Sequence, residues 1–164
     1  STQAKTLFPY TTLFRSVTAG DPRPIEAKFD TSDATVTINV GDLVIQTSGN
    51  VFPIGSGTVT TNFVGVAAQK KEAGTTGKYL RLMGNTADGV IRVDTDGIFD
   101  FDCADTIALV PGDPVGPDGN SYTVKKVGHE SISVGRVVKH MAASGGRVRV
   151  KIQSNIVPAA NKGS

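Results

Sequence analysis

The chain has no tryptophan, one cysteine, two methionines and two histidines. The lone Cys103 excludes an intrachain disulfide framework and any site built on several cysteine ligands. His129 and His140 are too few for a histidine metal cluster, and neither lies near a serine or cysteine in a recognisable nucleophile setting. Three tyrosines and seven phenylalanines are the only rings, a poor endowment for stacking on sugars or bases. No apolar run approaches the ~18 residues of a membrane-crossing helix, and no signal-peptide pattern is present. Glycine spacing fits neither a Walker loop nor a dinucleotide fingerprint. These absences lead to the expectation of a soluble protein made in a reducing cytoplasm, with no membrane partner, no cofactor, no metal and no catalytic residues.

What is abundant is glycine, 19 of 164 residues, set between short apolar runs. The length suits one domain, which buries roughly 70% of its unfolded surface. One cassette occurs twice. Gly41-Asp42-Leu43-Val44 is followed by Val64-Gly65-Val66, and Gly112-Asp113-Pro114-Val115 by Val134-Gly135-Arg136-Val137; the starts are 71 residues apart. A similar run precedes each copy, Ala34–Ile38 and Ala104–Leu109. A repeat of strands and turns with no catalytic cluster inside it points to a structural β-module.

Along the chain, Thr6–Ser16 resembles the in-frame translation of a sequencing-library adapter, so residues 1–16 are expected to be a foreign tail. Residues 17–33 hold Pro22 and Pro24, which disfavour helix and central strand. They read as an extended N-terminal arm with two apolar anchors, Ile25 and Phe29. Residues 34–152 form the expected β domain. Val36, Ile38 and Val40 alternate with polar neighbours, Ser48-Gly49-Asn50 marks a hairpin turn, and Gly65 within Phe63–Ala68 marks a bulge or close backbone approach. Further strands are expected at 79–83, 90–94, 98–101, 122–127, 132–138 and 147–152, with a turn at Asp96-Gly97. Residues 104–110 fit a strand or one helical turn. Residues 153–164 read as a tail. Nine or ten short strands with little helix predict an all-β barrel or sandwich.

The formal charge of +2 rests on Lys5 and Arg15 in the tail; without them acids and bases balance, so no nucleic-acid partner is expected. The distribution is uneven. Residues 88–118 carry eight aspartates against Arg92, and residues 125–164 carry eight Lys or Arg against Glu130. Such patches pair within a fold or between subunits. The basic strand 147–151 lacks interleaved aromatics and reads as a solvated or subunit-facing surface. Asp94-Thr95-Asp96-Gly97 lacks the later ligands of a calcium loop and reads as a turn. Gly89–Gly97 superficially resembles the strand-turn motif of trimeric dUTP pyrophosphatases, but Arg92 stands at that family's acid and Thr95 at its aromatic. A hydrolase would need paired carboxylates in a cleft, such as Asp100 and Asp102 on one strand face. Cys103 follows an acidic stretch that would raise its pKa.

The order Gly41-Asp42-Leu43-Val44, Val64-Gly65-Val66-Ala67, Val90–Phe99, Pro111-Gly112-Asp113-Pro114-Val115, Val134-Gly135-Arg136-Val137 and Arg147–Val150 resembles phage capsid cement (head decoration) proteins over about residues 36–152. The resemblance implies a small β-barrel or β-tulip-like domain with an N-terminal arm. It also implies a homotrimer on the outside of an icosahedral head, bound to the major capsid protein and stabilising the shell without enzymatic activity. The virion's outer capsid surface would be its location, after synthesis in the bacterial host cytoplasm. Ile25 and Phe29 would be the shell-contact residues of the arm. The alternatives are a phage tail or fibre module that binds a host-surface glycan, and a β-barrel hydrolase.

Overall fold

The computed structural model describes residues 17–19, 24–30, 35–55, 60–72, 89–103, 105–129, 132–142 and 146–156. These residues are all-β. The strands are β1 (Val17–Ala19), β2 (Pro24–Lys28), β3 (Thr37–Ile38), β4 (Leu43–Thr47), β5 (Asn50–Pro53), β6 (Phe63–Ala67), β7 (Lys71–Glu72), β8 (Val90–Asp94), β9 (Asp96–Cys103), β10 (Pro114–Pro117), β11 (Thr123–Lys126), β12 (Gly135–Lys139) and β13 (Gly146–Gln153). The expected strand at 79–83 lies outside the described residues.

The cassette turns are built alike. In Asn39–Asp42 and in Val110–Asp113 the glycine takes a positive φ, 88° at Gly41 and 98° at Gly112. The aspartate N–H donates to the carbonyl three residues back, at 3.1 and 3.0 Å. Its Oδ2 accepts the N–H of that same residue, at 2.8 Å from Asn39 and 3.0 Å from Val110. A glycine third in a four-residue turn gives the type II form, and Pro111 suits the second position. Each glycine N–H then bonds across to the next limb, Gly41 to Ala67 O and Gly112 to Val137 O.

The equivalence extends to the sheets. The first runs β2-β8-β6-β4-β5; in the second, β9-β13-β12-β10-β11 repeat that order, and β1 adds to β9 through Val17↔Phe99 and Ala19↔Ile98. Leu43 and Val44 face Val66 and Gly65, as Pro114 and Val115 face Arg136 and Gly135. The β3–β7 pair Ile38↔Lys71 matches the bridge Leu109↔Met141, so the described part of the ambiguous run, 105–110, holds one bridged residue and no helical turn. The repeats differ in closure. In the second, β11 pairs parallel with β9 and completes a five-stranded barrel. In the first, no pairing among the described residues joins β5 to β2.

Burial shows how the repeats fit together. Strands β9 and β13 alternate buried and open positions, with Val148, Val150 and Ile152 inward as the pattern predicts. Strand β6 is buried at all five positions, and adjacent Leu43 and Val44 of β4 are both fully buried. One face of these strands sends Leu43, Phe63 and Val66 into the core of the second barrel; the other sends Val44, Val64 and Ala67 into the core of the first sheet. A strand covered on both faces reads as an uninterrupted apolar run. Leu43 N–H to Ser121 O (2.6 Å), Asn155 N–H to Phe63 O (2.9 Å) and Ser154 N–H to Thr95 O (3.2 Å) tie the halves together.

Two expectations change. Asp96-Gly97 is the start of β9, not a turn: Thr95 alone separates β8 from β9, so one nearly continuous strand passes from the first repeat into the second. Residues 24–28, expected in an arm, form β2, paired antiparallel with β8 from Pro24↔Asp94 to Lys28↔Val90. Pro24 is tolerated because it opens the strand.

The two inner glycines have a steric reason. A Cβ on Gly65 would collide with the carbonyl oxygen of Asp94, and one on Gly135 with that of Lys151. Both oxygens are backbone and cannot swing aside. Gly65→Ala and Gly135→Ala are each expected to lose at least about 2 kcal/mol in urea unfolding. Gly89→Ala, which meets nothing within 4 Å, should stay within about 0.5 kcal/mol.

Candidate interaction surface

The acidic and basic segments are neighbouring strands of one barrel. The β9–β13 register sets Asp100 opposite Arg149 and Asp102 opposite Arg147. Arg149 binds Asp100 through two parallel bonds, Nε to Oδ1 at 2.9 Å and Nη2 to Oδ2 at 3.2 Å, the fork geometry that only arginine offers. This pairing raises the Arg149 pKa further. Arg147 Nε reaches Asp102 at 3.4 Å. Lys125 pairs with Asp118 at 3.1 Å and Lys126 with Asp113 at 2.9 Å. The opposed charges therefore meet inside the fold. Exposed pairs of this kind contribute about 0–1 kcal/mol each, so their main effect is to set which strand lies beside which.

Asp100 and Asp102 do lie on one strand face, but guanidinium groups occupy both. A cleft of about 310 Å³ beside them is lined by Asp100, Lys139, His140, Met141, Ala142, Arg147 and Arg149, without Asp102. The second histidine, His129, is exposed in the loop after β11. Among the described residues no group of three or more His, Cys, Asp or Glu could hold a metal ion.

Ile25 and Phe29 are drawn into the fold. Phe29 is 2% exposed and belongs to the core of the first sheet; Ile25 packs partly buried against it. Phe29 N–H donates to Gly89 O at 2.9 Å. Phe29 is spent on the core and has no surface left for a partner, whereas Ile25 is only partly covered. Cys103 is 4% exposed, and burial pushes its thiol pKa up, with Asp105 and Asp118 adding to the rise.

Among the described residues, the large apolar side chains that face outward belong to the second repeat and its C-terminal end: Ile107, Val110, Tyr122, Ile132, Val138 and Ile156, 37–51% exposed. Sequence reading missed them, because Val138 continues the β12 pattern and the others sit in turns where burial is not encoded by periodicity. Tyr122 is the one exposed Tyr or Phe ring among the described residues. No protein-family model matches the sequence, and no curated protein matches it.

Two outcomes follow from the local chemistry. Cys103 should react with a thiol reagent only under unfolding conditions, with native labelling at least about 100-fold slower. Asp113 has its pKa lowered first by the Val110 N–H and then by Lys126. Its contribution is therefore present above the unfolded value of about 3.9 and lost as pH falls through the lower folded value. Asp113→Asn should cost about 1 kcal/mol at pH 7, and chemical unfolding should show that gap narrowing below about pH 4.

Proposed function

We propose that the chain is a phage capsid decoration protein that binds the outer surface of the icosahedral head and stabilises it. It would act as a homotrimer on the major capsid protein, with no enzymatic step. The observation that carries this reading is the duplicated cassette, the feature on which the resemblance to cement proteins rests. Its glycines, aspartates and strand pairings recur in matching positions of the two repeats. Such a module spends its polar chemistry on turns and sheet register. What it offers a partner is a shaped surface.

Two further observations support the reading. Much of the formal charge of the second repeat is neutralised within its own barrel, so association would not depend on long-range attraction. The outward apolar side chains of the second repeat supply contact area for a subunit or a shell. Each contact is weak alone; three copies on one capsomer would convert them into tight attachment through effective concentration. Since Phe29 is committed to the core of the first sheet, gripping would fall mainly to the second repeat.

Light scattering of the purified protein should give three times the 17.1 kDa monomer, and the protein should co-sediment with expanded, undecorated heads and raise their thermal rupture point. A monodisperse monomer at high concentration that leaves heads unaltered would sink the proposal.

A further inference from the structure

The two repeats share a backbone but not a charge pattern, and the difference concentrates at one cleft. The sheet registers make Lys139 the counterpart of Gln69, Arg147 of Val90 and Arg149 of Arg92. In the first repeat Gln69 Oε1 accepts the Arg92 backbone N–H at 3.1 Å. Lysine has no acceptor to offer in that place. The β12–β13 register instead sets Lys139 directly opposite Arg149, and Arg136 opposite Lys151. Like charges facing each other across a sheet are destabilising, and here the same hairpin does it twice.

Asp100 is held in the fork of Arg149. Lys139 has no ion-pair partner among the described residues. Arg147, 63% exposed, gives Asp102 only its Nε at 3.4 Å, which leaves the two-pronged edge of its guanidinium unused. These groups line the cleft of about 310 Å³ together with His140 and the buried Met141. The concavity thus gathers three cations beside the Met141 side chain, and one of them, Lys139, has no ion-pair partner among the described residues.

We infer that this cleft is a binding site for an oxyanion group, a carboxylate or a phosphate, held between the Lys139 ammonium and the Arg147 guanidinium. The ligand would supply the negative charge that Lys139 lacks. Arg149 stays on Asp100 and fixes the wall against which the anion sits. The first repeat cannot do this, since Gln69 and Val90 occupy the equivalent positions.

The test is titration of the whole protein at constant ionic strength, followed by amide chemical shifts, with inorganic phosphate in one arm and a tetraglutamate peptide in the other. Saturable shifts confined to 139–142 and 147–149, with a Kd of about 1 mM or tighter in at least one arm, are expected. The arm that saturates identifies phosphate or carboxylate as the ligand chemistry. Lys139→Gln, which installs the first repeat's residue, should weaken binding about tenfold, and Lys28→Gln on the first sheet should not. Shifts that fail to saturate in both arms, or equal weakening by the two variants, would overturn the assignment.

Discussion

The wall shared by the two repeats is the constraint on which the rest depends. Strands β4 and β6 have a hydrophobic core on each side, so neither face can carry a charge or a large change of volume. Close packing of that kind requires the neighbouring strand to come near, and it does so where Gly65 lies under the Asp94 carbonyl. The cassette is therefore a packing solution. The aspartate turn aims β4 into the wall, and the inner glycine lets β8 close over β6. The same solution at Gly112-Asp113 and Gly135 builds the second barrel.

The repeats then diverge in ways that matter for function. The first keeps its edges unjoined among the described residues and contributes Leu43, Ile54, Phe63 and Val66 to its neighbour's core. The second closes on itself and carries the charge ladder, the cleft and the outward apolar side chains. Cross-strand charge pairs give little net stability but disfavour wrong registers. A slip of one residue on β13 would bring Val148 and Val150 outward and put the arginines in the core. The alternation and the ion pairs enforce the same register by independent means.

Much of this was legible in the amino-acid order. The alternation at 147–152 reported its own faces, and Ser48-Gly49 announced the β4–β5 hairpin, with both residues at positive φ. The cassette marked the repeat and its turns. What was not legible was long-range pairing. Two prolines made residues 17–33 look like an arm, because local propensity carries no information about β8, 66 residues downstream of Ile25–Ala27, which recruits that segment. Asp96-Gly97 looked like a turn because the pair is common in turns, while Thr95, buried at 3% exposure, holds it in line. The charge imbalance was visible, but whether it resolved inside the fold or between molecules depended on strand order.

The ring of the second barrel is not equally strong around its circumference. On one side β9 is zipped to β13 over eight residue pairs; on the other it closes the ring on β11 through two, Thr123↔Asp102 and Val124↔Cys103, while β1 takes Ile98 and Phe99. Parallel pairs are also slightly weaker per residue than antiparallel ones. Partial unfolding free energies follow local pairing, so the barrel should breathe by parting at this seam, unrolling into a curved sheet that keeps its hairpins. The molecule then has a built-in hasp: a short closure that opens at a fraction of the global unfolding energy while β9 and β13 remain fastened.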